Sequence, residues 1–176
     1  MTHVLDPRPS SLGRNPFIAR FGGIYEHSPW VAEAVAAEGI GLADDSADTL
    51  ARRMAAIGAA AGHDGQLAML RAQPELAGKL AIGGGLTADS ATEQASARLD
   101  QCTPEEFARF QDLNHAYTAR FGFPFIVAVR GLQRADILAA FERRIGNGTA
   151  EEFREALDQV HKIARLRLGA MTATTP

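Results

Sequence analysis

Helix punctuation constrains this chain more than any other feature. "TPEE" (103–106) and "TAEE" (149–152) each place a Thr three residues before a Glu. That is the spacing of a capping box, in which hydroxyl and carboxylate each satisfy a backbone N–H of the other residue. The two boxes predict long helices over about 104–121 and 150–168, the first ended by Gly122. "NPF" (15–17) and "SPW" (28–30) each set a cap residue before a proline at the first helical position. Gly39 stops the second of these. "SADTLARRMAAIGAAAG" (46–62) predicts a helix that closes near Gly62. A shorter one over about 64–72 must end before Pro74, because a residue preceding proline resists helical geometry. Only "FPFIVAV" (123–129) reads as an extended, buried run, and it has no convincing strand partner. The expectation is one all-α domain of about eight helices with one extended buried segment at about 123–129. An irregular N-terminal arm (1–14) precedes the domain (15–169), and a tail (170–176) follows it.

Composition narrows the function classes. A length of 176 residues fits one domain with a substantial core. The formal charge of -3 provides no basic field, so nucleic acid is not an expected partner. No window reaches the ~18 apolar residues of a membrane span. "MTHVLDPRPSSLGRN" lacks the apolar core of a signal peptide, which makes the cytoplasm the default location. The single cysteine, Cys102, excludes a disulfide framework and reads as a partly buried thiol near a helix end. Five scattered histidines form no ligand pair at helical spacing, so no metal is expected.

Two helical faces carry polar groups where chemistry would need them. In the first long helix Phe107, Phe110, Asn114, Tyr117 and Phe121 trace one side. In the last, Phe153, Ala156, Val160, Ile163 and Ala164 do the same; Arg167 falls in the middle of that arc and Arg165 outside it. A guanidinium on a core-facing stripe needs an accepting partner, unless it snorkels at a fraying helix end. "SATEQ" (90–94) brings Ser90, Glu93 and Gln94 to one side, opposite Ala91, Ala95 and Leu99. That side is either a solvated polar face or a pocket wall whose carboxylate exchanges protons with a ligand.

Taken in order, "YEHSPWVAE" (25–33), "PELAGKLA" (74–81), "SATEQ" (90–94), "LNHAYTARFGFPFIVAVRG" (113–131) and "KIARLRL" (162–168) resemble the OHCU decarboxylase family. The resemblance covers about residues 15 to 168. It implies an all-α fold, commonly a homodimer, and a cofactor-free reaction. In that reaction 2-oxo-4-hydroxy-4-carboxy-5-ureidoimidazoline, a ureidoimidazoline carboxylate, becomes (S)-allantoin and carbon dioxide during urate breakdown. It further implies that Glu93 is the catalytic carboxylate and that Ser90 and Gln94 bind substrate. Pro74 would border the ligand. The main chain of Phe125, Ile126, Val127, Ala128 and Val129 would bond its ring and ureido groups, and Arg167 would be the substrate-binding arginine.

One position departs from the family pattern. Where the family has a catalytic His before the proline, this chain has Gln73. An amide donates and accepts hydrogen bonds but carries no proton in or out near neutral pH. Losing a general acid or base costs ~10²–10⁴-fold in rate, so binding should survive better than turnover. The chain is then an engineered ligand-trapping variant, a natural homologue with lost or shifted activity, or an enzyme in which another histidine compensates. His63 and His115 are candidates for that role, though each reads as a surface or helix-end residue, and His27 reads as structural. The competing classes are a non-catalytic binder of a related ureido-heterocycle and a helical interaction domain with no small-molecule site.

Overall fold

The computed structural model describes residues 3–78 and 85–172. Lys79, Leu80 and Ala81 of the "PELAGKLA" motif, the first two residues of the arm and the tail beyond 172 lie outside the described residues. Eight α-helices occur among those described: α1 (Arg14–Phe21), α2 (Trp30–Glu38), α3 (Ala47–Ala60), α4 (Gly62–Arg71), α5 (Ala88–Ser96), α6 (Pro104–Phe121), α7 (Arg134–Arg144) and α8 (Thr149–Ala170). Pairing outside the helices is limited, among the described residues, to two isolated bridges, Val4 with Ser46 and Leu5 with Thr172. The expected all-α architecture is what the chain adopts.

Local chemistry explains most boundaries. Thr103 and Glu106 form the full reciprocal box that opens α6, and Gly122 closes it in the left-handed region at φ 78°. Ser46 caps α3 by accepting from the Thr49 N–H. Gly62, at φ 70°, turns the chain between α3 and α4; a side chain there would meet the steric penalty glycine escapes. Two boundaries differ from expectation. α1 begins two residues early, with Gly13 as its cap, so Pro16 occupies the third helical position. Pro29, not Ser28, caps α2.

The second expected box does not form as predicted. α8 starts at Thr149 itself, and Glu152 turns inward to accept from Arg144, Tyr117 and Asn147. Glu152 lies four residues before Ala156, on the apolar stripe that continues through Val160 and Ala164. Helical phase therefore outweighs the capping motif.

The chain divides into two compact units, residues 1–72 with 161–176 and residues 73–160. In the first, Phe17, Phe21, Val31, Val35, Leu50, Met54 and Leu168 are fully buried. Its arm is anchored: Ser10 donates to both carboxylate oxygens of Asp45, through N–H and hydroxyl, at 2.8 Å each. In the second, Tyr117 sits edge-on to Phe123, Phe125 and Phe141, while Phe125 stacks on Phe141 at 3.9 Å between centroids. Segment 123–129 belongs to no helix or ladder, and five of its seven side chains are buried.

Candidate active site

The second unit holds all but one of the predicted site residues. Gln73 stands two residues beyond α4 and is buried; Pro74 beside it is half-buried. The next three residues are held by side-chain amides from two helices. Gln94 of α5 accepts from the Ala77 N–H and donates to the Glu75 carbonyl, each at 3.1 Å. From α6, Gln111 donates to the Ala77 carbonyl and Asn114 to that of Leu76, each at 2.9 Å. Ala77 sits at φ 49°, a conformation costing about 1–2 kcal/mol in a residue with a Cβ, and these bonds fix it there. The Asn114 Oδ1 is buried and has no hydrogen-bond partner among the described residues.

α5 is inside out. Its polar residues Ser90 and Gln94 are buried, Glu93 is half-buried, and Ala91 and Ala95 face solvent. An ordinary surface helix buries its apolar stripe and exposes the polar one. The solvated-face reading of "SATEQ" is thus incorrect. Gln94, tied to the loop at both ends of its amide, keeps one hydrogen and one lone pair for another partner.

The non-helical segment is fixed from outside. The Arg144 guanidinium lies over the Phe125 ring at 4.6 Å and donates to the Ile126 carbonyl at 2.7 Å. Gln159 accepts from the Ala128 N–H at 2.9 Å, and Val129 accepts from the Leu132 N–H at 2.9 Å. Neither the N–H nor the C=O of Val127 has a hydrogen-bond partner among the described residues. Sequence reasoning passed over the Arg144–Glu152 pair, although both residues continue apolar stripes: Ile137, Phe141 and Arg144 on α7, Glu152 and Ala156 on α8.

Arg167 belongs to the first unit and is buried, not snorkelling. Its NH1 donates to Glu26 Oε2 at 2.9 Å and approaches the carbonyls of Gly23 and Ile24 at 3.4 Å. Glu26 is itself buried; it stands in the "YEHSPW" motif, but nothing local in the sequence marks it as this partner. Arg165 projects outward to Asp48, as helical phase predicted. His27, His63 and His115 are all exposed. The fifth histidine, His161, bonds the Tyr25 hydroxyl through Nδ1 at 2.8 Å, and burial pushes that phenol well above its ordinary range. The half-buried Cys102 thiol bonds the Leu99 carbonyl; burial, with Glu106 nearby, raises its pKa and makes it a poor nucleophile. A groove of about 540 Å³ on the first unit, lined by Arg52, His161, Lys162 and Arg165 among others, contains none of the predicted site residues. Among the described residues no three His, Cys, Asp or Glu side chains gather as a metal-binding group.

Comparison with known proteins identifies the family. The model of the OHCU decarboxylase family matches residues 10–169. The 2-oxo-4-hydroxy-4-carboxy-5-ureidoimidazoline decarboxylase of Haloferax volcanii is 43% identical over 157 residues, 89% of either chain. A decarboxylase of the same name from Mus musculus is 37% identical over 161 residues, covering 90% of this chain and 88% of that one. Among solved structures, an (S)-allantoin synthase superposes with a TM-score of 0.74 at 36% identity, over 93% of this chain and 52% of that one. An OHCU decarboxylase crystallised in the presence of (S)-allantoin, 19% identical with a TM-score of 0.64, shares the fold over 84% of this chain and 93% of its own. With a family model spanning nearly the whole chain and relatives well above 30% identity, this chain belongs to the OHCU decarboxylase family.

Proposed function

We propose that residues 15–169 catalyse decarboxylation of 2-oxo-4-hydroxy-4-carboxy-5-ureidoimidazoline to (S)-allantoin, with no cofactor and with turnover slowed by Gln73. The carrying observation is the inward polar edge of α5, which buries Ser90 and Gln94 with Glu93 beside them. Burying such groups costs free energy that internal bonds or a polar ligand must offset.

The substrate is its own electron sink. The bond to the carboxylate breaks, its pair moves into the neighbouring ring imine, and the imine nitrogen takes a proton. The enol left behind loses its hydroxyl proton as another proton arrives at the ureido-bearing carbon. We assign this proton traffic to Glu93 and the binding of the hydroxyl region to Gln73, with Pro74 alongside. Ser90 and the unused half of the Gln94 amide bind substrate, and Arg167 binds its carboxylate. Within Phe125–Val129, Ile126 and Ala128 spend groups on Arg144 and Gln159. An extended run sends the groups of alternate residues to opposite edges, so Val127 offers an N–H and a C=O together. That pair complements a cyclic ureide. We further propose that the enzyme works as a homodimer in the cytoplasm; among the described residues no helix is long and apolar enough to cross a membrane.

The test follows the optical activity of freshly generated substrate with this chain and with Gln73→His. We expect (S)-allantoin from both, with His faster by ~10²–10⁴-fold. Gln73 itself favours a second reading, a protein that binds a related ureido-heterocycle without turning it over. Inactivity of both chains, with allantoin still bound, selects that reading.

A further inference from the structure

Residues 75–77 gather two features that folded chains ordinarily avoid. Ala77, which carries a Cβ, stands in the left-handed region at φ 49°. Asn114 commits its nitrogen to the Leu76 carbonyl and leaves Oδ1 buried with no partner among the described residues. Both are unfavourable, and such features persist beside functional sites, where the surroundings impose them. We propose that Gln111 and Asn114 are positioning residues: by holding residues 75–77 they fix which end of the Gln94 amide meets each part of the ligand. This rests on the decarboxylase reading above, and every residue named lies in the second unit.

The two ends of a glutamine amide are nearly the same shape, so packing does not decide where the oxygen lies; hydrogen bonds do. Here the main chain decides. The Ala77 N–H requires an oxygen and the Glu75 carbonyl requires a nitrogen, and Gln94 supplies each at 3.1 Å. Turned over, its amide would set N–H against N–H and oxygen against oxygen. α6 locks that stretch: Gln111 donates to the Ala77 carbonyl and Asn114 to the Leu76 carbonyl, each at 2.9 Å. Without them the left-handed turn at Ala77 is no longer imposed, and the grip of the loop on Gln94 loosens. Asn114 follows the same rule as Gln94, for only its nitrogen can serve a carbonyl. Its orphaned oxygen is the consequence of holding the loop.

The effect is on recognition. Gln94 has one N–H and one lone pair left, and the loop fixes their order. A cyclic ureide carries C=O and N–H groups side by side along its rim. One orientation of the amide pairs with such an edge, and the other sets like groups together. Selectivity for the ureide thus originates in α6, in side chains that need not touch it.

Asn114→Leu removes the orphaned oxygen while depriving the Leu76 carbonyl of its donor. One unsatisfied group replaces another, and Tm should stay within about 5 °C of the parent. Gln111→Met deletes the half-buried donor to Ala77 with little change of volume. Binding of (S)-allantoin to the full chain is measured by calorimetry. The side-chain amide signals of Gln94, identified by their absence in Gln94→Glu, are followed by NMR. We expect either variant to bind allantoin about 5–30-fold more weakly, and the Gln94 signals to move toward those of a free glutamine amide. Unchanged affinity, or Gln94 signals that stay in place, overturns the proposal; so does a loss of Tm with binding intact, which marks an architectural residue. If Asn114→Leu does not fold, Gln111→Met decides alone. Failure of the parent and Gln73→His chains to decarboxylate, with allantoin still bound and still weakened by the variants, instead overturns the functional reading. A parent chain that binds no allantoin overturns both.

Discussion

The two buried ion pairs, one in each unit, are built differently. Arg144 gives Nε and NH2 to one oxygen of Glu152 and NH1 to the Ile126 carbonyl, and its face lies on Phe125. Glu152 answers with bonds from Tyr117 and Asn147 as well. The pair spans 8 residues of sequence and is closed on every side. Arg167 NH1 meets Glu26 across 141 residues and also approaches the carbonyls of Gly23 and Ile24. The first arrangement is suited to hold a segment of chain in place. The second ties the segment around Gly23–Glu26 to the end of α8 across a long stretch of sequence.

Removing one partner from the closed network should have the largest effect. Arg144→Met leaves Glu152 charged in a fully buried position, and the expected cost is about 3–5 kcal/mol in urea unfolding. A loss under about 1 kcal/mol would break the comparison, since the network would then contribute little. Arg167→Met, assayed where it remains folded, should lose about 10–100-fold in kcat/KM, the worth of one or two charged hydrogen bonds. Unaltered kinetics there would make both pairs architectural. Tyr117→Phe deletes a single donor to Glu152 while Arg144 and Asn147 remain, and should cost about 1–2 kcal/mol.

The smallest effect belongs to an exposed pair, which marks the lower end of the scale. The Thr103 N–H, aided by Arg134, holds the Glu106 carboxyl below the usual carboxylate range. A depressed folded pKa contributes stability above the unfolded pKa, and that contribution fades as pH falls through the folded value. Glu106→Gln should therefore lower Tm slightly at neutral pH and leave it nearly unchanged at low pH, which flattens the acid limb. An equal loss of Tm at all pH values would point to the cap alone.

What could be read from the sequence followed the range of the forces involved. Short-range signals worked: the Thr103–Glu106 box, Gly122, the stop before Pro74 and the inward phase of Arg167 all match the folded chain. Where two local signals competed, the weaker motif misled, as at Glu152, whose place on an apolar stripe outweighed its spacing from Thr149. Long-range partnerships were not legible at all. Nothing near Glu26 names Arg167, and nothing near Gln94 says that its amide grips residues 75 and 77. The outward turn of Ala91 and Ala95 was hidden for the same reason, because what packs on α5 is set by distant chain.

For anyone engineering this protein, α5 reverses the usual habits of sequence optimisation. Ala91 and Ala95 are the tolerant positions, where lysine or glutamate should be accepted freely, and Ser90 and Gln94 are the intolerant ones. A library that randomises every hydrophilic residue and protects every hydrophobic one would hit Ser90 and Gln94 and spare Ala91 and Ala95.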